Sequence, residues 1–80
     1  MITIRLPAML GGGTVTITGQ VRTVQELTSA LREARPDLNA RLDDSIFNVA
    51  INNEMLVHDA ENHPLRDGDV VEIVPAISGG

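Results

Sequence analysis

Thr23-Val24-Gln25-Glu26 opens the one amphipathic helix this chain offers, and on both sides of it the apolar residues recur at every second position instead. The tetrapeptide matches a capping box, in which the threonine hydroxyl and the glutamate carboxylate each satisfy an orphan backbone N–H. Val24, Leu27, Leu31 and Ala34 then share one face, while Gln25, Arg32 and Glu33 lie elsewhere. Pro36 stops the run, because the residue before a proline is pushed out of the α region. The span from Val24 to Arg35 makes a rod of roughly 18 Å, enough to cross one face of a small sheet. A single apolar stripe of that length has to be buried, and the flanking segments must supply the sheet that buries it.

Those segments read as strands. Ile2, Ile4 and Leu6 alternate with Thr3 and Arg5 until Pro7, and Val15 and Ile17 alternate with Thr14, Thr16 and Thr18. Gly11-Gly12-Gly13 between them marks a turn, so the two form a hairpin whose wide loop carries Ala8, Met9 and Leu10. After a linker with Leu38 and Leu42, Phe47, Val49 and Ile51 alternate with Asn48, Ala50 and Asn52. Asn52-Asn53 suits a positive-φ turn, and Met55-Leu56-Val57 a short return strand. Leu65 is the lone apolar anchor before the Asp67-Gly68-Asp69 turn. The last strand is Val70 to Val74, with Val71 and Ile73 on one side and Val70, Glu72 and Val74 on the other. The order β-β-α-β-(β)-β predicts an α+β, β-grasp (ubiquitin-like) domain. Its mixed sheet of four to five strands carries one main helix on one face, and its first and last strands run parallel at the centre. Residues 1–75 form the domain and 76–80 a flexible tail.

Composition narrows the function. Eighty residues allow one small domain. The absence of cysteine removes disulfides, Cys-ligated zinc and Cys-ligated iron–sulfur clusters. Phe47 is the sole aromatic and the net charge is −5, which argues against nucleic acid as a partner. No apolar run approaches the roughly 20 residues a bilayer needs. MITIRLPAML begins at once with strand-like alternation instead of a charged leader, so no membrane partner is expected and the expected setting is cytoplasmic. All six basic residues are arginine. With no ε-amine, the chain cannot build lysine-linked chains of itself.

Pro75-Ala76-Ile77-Ser78-Gly79-Gly80 follows the last strand directly. Pro75 cannot donate to a ladder, so pairing is expected to end there, and the five residues beyond it reach roughly 17 Å when extended. The sequence resembles the MoaD/ThiS family of ubiquitin-like sulfur carriers. That family includes the small subunit of molybdopterin synthase and carriers of the thiamine and cysteine pathways. The similarity covers essentially the whole chain and is densest in Val49-Ala50-Ile51-Asn52-Asn53-Glu54, in Leu65 to Pro75 and in Gly79-Gly80. The molybdopterin branch usually carries two prolines before the diglycine and an aromatic and an arginine in the first loop. Here the loop reads Pro7-Ala8-Met9-Leu10, and the single Pro75-Ala76 looks more like the cysteine-forming carriers.

The resemblance implies a carrier protein with no catalytic residues, no metal site and no bound cofactor of its own. Gly80 is the terminus that is adenylated and then carries sulfur as a thiocarboxylate. The partners it implies are an E1-like adenylyltransferase of the MoeB/ThiF type using ATP and magnesium, a persulfide or sulfide donor, and a sulfur-acceptor synthase. Gly79, Ser78 and Ile77 would thread the partner's channel, where glycine lets backbone pass closely. Docking falls to Val70, Val74 and Pro75, with Asp67, Asp69 and Glu72 placing negative charge beside the tail's exit. Two readings of each group stand open: an apolar contact patch or ordinary β-branched filling for the valines, and steering or a solvated turn for the acids. The alternative function is a protein modifier joined through Gly80 to lysines of other proteins.

Other motifs carry less. His58-Asp59-Ala60-Glu61-Asn62-His63 gathers ligand-type side chains but lacks helical metal spacing and reads as a solvated loop. Gly11-Gly12-Gly13-Thr14 lacks the lysine and the helix of a phosphate loop. Asp43-Asp44-Ser45 has no opposing carboxylate for acid–base work.

Overall fold

The computed structural model describes residues 1–44 and 46–76. Helix α1 spans Val24–Ala34. Its cap is close to the expected one: Thr23 Oγ1 accepts the Glu26 N–H at 3.3 Å, and Glu26 Oε1 reaches back to the N–H of Arg22, one residue outside the cap. The helix ends one residue earlier than the expected span from Val24 to Arg35. Arg35 has left the α region, at φ −133° and ψ 70°, as the proline that follows it favours.

The strands are β1 (Ile2–Arg5), β2 (Thr14–Ile17), β3 (Phe47–Ile51), β4 (Glu54–Met55) and β5 (Val70–Pro75), in the spatial order β2-β1-β5-β3-β4. β1 and β5 are parallel, with Ile4 beside Val71. The other pairings are antiparallel. This is the β-grasp arrangement. A parallel pair cannot be joined by a tight turn, and here the connection between β1 and β5 contains every other element of the fold. Val24, Leu27 and Leu31 of α1 are buried with Ile2, Ile4, Ile51 and Val71 of the sheet. Burying side chains of this kind stabilises the fold by roughly 1.5–3 kcal/mol each.

Three features differ from the sequence reading. The linker after Pro36 is a 3-10 turn, Pro36–Leu38, running into a second helix α2, Asn39–Asp44, with Leu38 only 3% exposed. The return strand β4 is confined to Glu54–Met55, before Leu56 and Val57. The first hairpin loop is folded: Ala8–Leu10 makes a 3-10 turn that drives Leu10 into the core at 0% exposure. Arg41 of α2 clasps that turn, its Nη1 donating to the Met9 carbonyl at 2.8 Å.

Candidate functional site

The candidate site is β5 and the point at which the chain leaves it. Alternation along β5 follows the expected pattern. Val71 faces the helix at 1% exposure and Ile73 packs at the edge of the core, while Val70, Glu72 and Val74 take the open face. Register sets their neighbours there: Thr3 beside Val70, Arg5 and Ala50 on either side of Glu72, and Asn48 opposite Val74. Met55, opposite Ala50, extends this row to the sheet edge and is 46% exposed.

The start of β5 is fastened by a side-chain latch. Asn52, at φ 50°, donates its backbone N–H to the Val70 carbonyl at 2.8 Å, and its Oδ1 accepts the Val70 N–H at 3.0 Å. Its Nδ2 donates to Asp69 Oδ1 at 3.1 Å, and Asp69 Oδ2 accepts the Arg66 N–H at 2.8 Å. These donors, the Arg66 N–H first and the Asn52 amide second, hold the Asp69 carboxyl below the usual carboxylate range. Gly68 completes the turn at φ 93°, a left-handed conformation that glycine adopts without steric cost. Its N–H donates to the Met1 carbonyl at 2.8 Å, and Asp67 pairs with the Met1 ammonium.

Asp67 and Asp69 therefore stand before the first residue of β5, whereas the chain leaves after its last, Pro75. At about 3.3 Å per residue the two ends lie roughly 17 Å apart. The expectation that these two acids flank the exit is corrected. Glu72 lies mid-strand between them and it, and Val70 belongs to the latched end.

At the exit, pairing runs further than Pro75's missing N–H suggests. Pro75 is itself the last ladder residue, opposite Phe47, and Ala76 N–H donates to the Ile46 carbonyl at 3.0 Å. The flanking Ile46 is 78% exposed. The 3-10 turn after β1 lies at the same end of the sheet, because β1 runs parallel to β5, and its Met9 is 41% exposed. Sequence reading missed Ile46 and Met9, which sit in segments it treated as connections. Ile77, Ser78, Gly79 and Gly80 lie outside the described residues.

The loop with the two histidines forms a 3-10 turn, Ala60–Asn62, entered through Asp59 at φ 52°. Asp59 Oδ1 accepts from Asn62 Nδ2 at 2.8 Å, and His63 Nδ1 lies 2.9 Å from the Pro64 carbonyl, which favours a proton on Nδ1. Among the described residues no three His, Asp or Glu side chains converge as a metal would need. No described helix is long and apolar enough to cross a membrane.

A ubiquitin-like fold whose last strand is anchored at its first residue and points its far end outward defines a class of small β-grasp proteins. The ThiS family model matches residues 7–80. The chain belongs to the ThiS family of ubiquitin-like sulfur carriers. Among solved structures it is similar to a chain in the complex of subunits 1 and 2 of molybdopterin-converting factor from Helicobacter pylori (26% identity, 99% of this chain and 97% of that one, TM-score 0.71). It is also similar to a chain in the BexX/CysO complex of Amycolatopsis orientalis (27% identity, 100% of both chains, TM-score 0.76). A third likeness is to SAMP1 of Haloferax volcanii (27% identity, 99% of this chain and 98% of that one, TM-score 0.75). A search of curated protein sequences returns no match.

Proposed function

We propose that this protein carries sulfur as a thiocarboxylate on Gly80. At neutral pH a terminal carboxyl is a carboxylate and a poor electrophile. An E1-like adenylyltransferase makes it reactive: a carboxylate oxygen attacks the α-phosphorus of magnesium ATP, pyrophosphate leaves, and an acyl-adenylate forms. A hydrosulfide then adds to the carbonyl, AMP leaves with the electron pair of the broken C–O bond, and the thioacid loses its proton to give the thiocarboxylate. With a persulfide donor the first product is an acyl disulfide, which a thiol cleaves to the same thiocarboxylate and a disulfide. Gly80 is cargo-bearing and the catalytic groups belong to the partner. A sulfur-acceptor synthase then takes the sulfur.

The observation that carries this reading is the family match running through Gly79 and Gly80. Two complexes among the similar structures support an enzyme partner. Val74 on the open face and Pro75 at the exit are the docking surface we assign, extended along the open face by Glu72 and Val70. The test incubates the protein with an E1-like adenylyltransferase, magnesium ATP and sulfide. Intact-mass spectrometry is expected to register one oxygen replaced by one sulfur, with the change confined to the C-terminal fragment. An unchanged mass with adenylyltransferases of both the MoeB and ThiF types overturns the proposal.

The likeness to SAMP1, a small archaeal modifier protein, favours a second reading in which Gly80 is joined to lysines of other proteins. Covalent high-mass adducts surviving a denaturing pull-down would support it, and sulfur loading without adducts would set it aside.

A further inference from the structure

The two edges of the sheet are unlike. β4 is two residues long and carries Glu54, the brevity and charge that keep an edge from recruiting another strand. β2, at the other edge, reads Thr14-Val15-Thr16-Ile17 and holds neither a charge nor a proline. The direction of its free groups follows from hydrogen-bond parity. Leu6 N–H donates to the Gly13 carbonyl at 2.9 Å, so that pair is hydrogen-bonded. Antiparallel alternation then gives the ladder bonds to Ile4 with Val15 and Ile2 with Ile17, and turns the N–H and C=O of Thr14 and Thr16 outward. Thr3, opposite Thr16, has the same parity: its N–H points away from β2, to the Asp69 carbonyl at 3.1 Å.

Beside that edge runs an open cleft of about 780 Å³ between β2 and α1. Its floor includes Ile17 and Val21, and its helical wall includes the small side chains of Ser29, Ala30 and Ala34. The charged groups lining it are Glu26 and Glu33, both acidic, with no arginine among them. We infer that this edge is a strand-addition site for an extended peptide segment of a partner protein, one carrying β-branched residues at alternate positions and arginine or lysine at its flanks. Four outward backbone groups give the main-chain bonds. Alternate side chains of the added strand point to the cleft, where the small residues of α1 leave room for valine. The two carboxylates select basic flanks. Four residues of β2 make a short contact, so binding is weak, in the sub-millimolar to millimolar range. The surface is separate from the end of β5 and does not depend on sulfur loading.

The test is an amide NMR titration of the full chain with a synthetic seven-residue peptide, acetylated and amidated, of alternating valine and threonine with an arginine at each end. Shifts are expected at Thr14, Thr16, Ser29 and Ala30. The same peptide N-methylated at its central valine, or with glutamate at both ends, is expected to bind about tenfold more weakly. On the protein side, Thr16→Pro removes an outward N–H without touching the β1 ladder and is expected to weaken binding to a similar degree. Glu33→Arg on the exposed helix face keeps the edge intact and removes the preference for arginine over glutamate flanks. No shift at millimolar peptide, or shifts centred elsewhere, overturns the proposal. Concentration-dependent shifts at Thr14 and Thr16 without peptide assign the edge to a second copy of the chain and also overturn it.

Discussion

Where β5 begins, Val70 exchanges two hydrogen bonds with Asn52 and the Asp69 carboxylate accepts two more; where it ends, Pro75 offers no donor and Ala76 holds Ile46 by a single bond. The first end rests on polar side chains committed to one geometry. The second is bordered by exposed Ile46 and Met9. In the carrier proposed above, a strand that presents its own continuation to another protein benefits from this asymmetry. Its register is set at the end remote from the partner, so contact at the exit can change without the sheet slipping. In the proposed carrier, the Leu65 to Val70 segment serves presentation from a distance.

The largest effect expected is at the free end. Deleting Gly79 and Gly80 is predicted to abolish sulfur loading, read by intact mass, while leaving the melting temperature unchanged. A fall in melting temperature would show that the terminus also serves the fold.

The latched end should behave in the opposite way. Asn52→Ala removes both side-chain hydrogen bonds and leaves alanine at a positive φ, together about 2 kcal/mol of stability. Denaturant unfolding checks the loss, and the sulfur-loading rate of the remaining folded protein is expected to match the parent. An equal loss of loading would mean that the two ends are not separable.

Much of this division was legible in the sequence, and the reason is local chemistry. The Thr23 cap, the period-two strands and the Asp67-Gly68-Asp69 turn are each specified by a few neighbouring residues, so the β-grasp order and the faces of β5 followed. The Asn52–Asp69 bond joins residues 17 apart, and nothing near Asn52-Asn53 distinguishes a latch from a turn. α2 escapes sequence reading because Leu42 is its only large apolar residue and Leu38 sits in the turn before it, too few to set a helical period. The acids were misplaced for a geometric reason. Asp67 and Asp69 are near the tail in sequence but not in space, because the intervening strand separates the two by its whole length.

Acid sharpens the contrast by a smaller amount. The Asp69 carboxyl is held below its usual range in the folded protein, so its ionised form stabilises the latch fully above the unfolded value of about 3.9. That contribution is lost as pH falls through the lowered native value. Asp69→Asn is predicted to be less stable than the parent at neutral pH, with the gap closing as pH drops from about 5 toward 2. Urea midpoints across that range test it. A gap that stays constant would mean that the Asp69 charge contributes nothing and only its shape matters.

The smallest effect is expected from Ala76→Pro at the exit. The substitution removes the N–H that bonds Ile46, a solvent-exposed hydrogen bond whose net worth is at most about 1 kcal/mol. Two terms act against that loss. Proline restricts the unfolded chain, and Pro75, as a strand residue, already has the extended backbone that a following proline requires. The melting temperature should therefore shift by little in either direction, well short of the Asn52→Ala change. The N–H also contributes nothing to the carbonyl chemistry at Gly80, so sulfur loading should persist. If Ala76→Pro instead destabilises the fold as much as Asn52→Ala, the Ile46 bond is a second latch, and the exit is held as firmly as the strand's beginning.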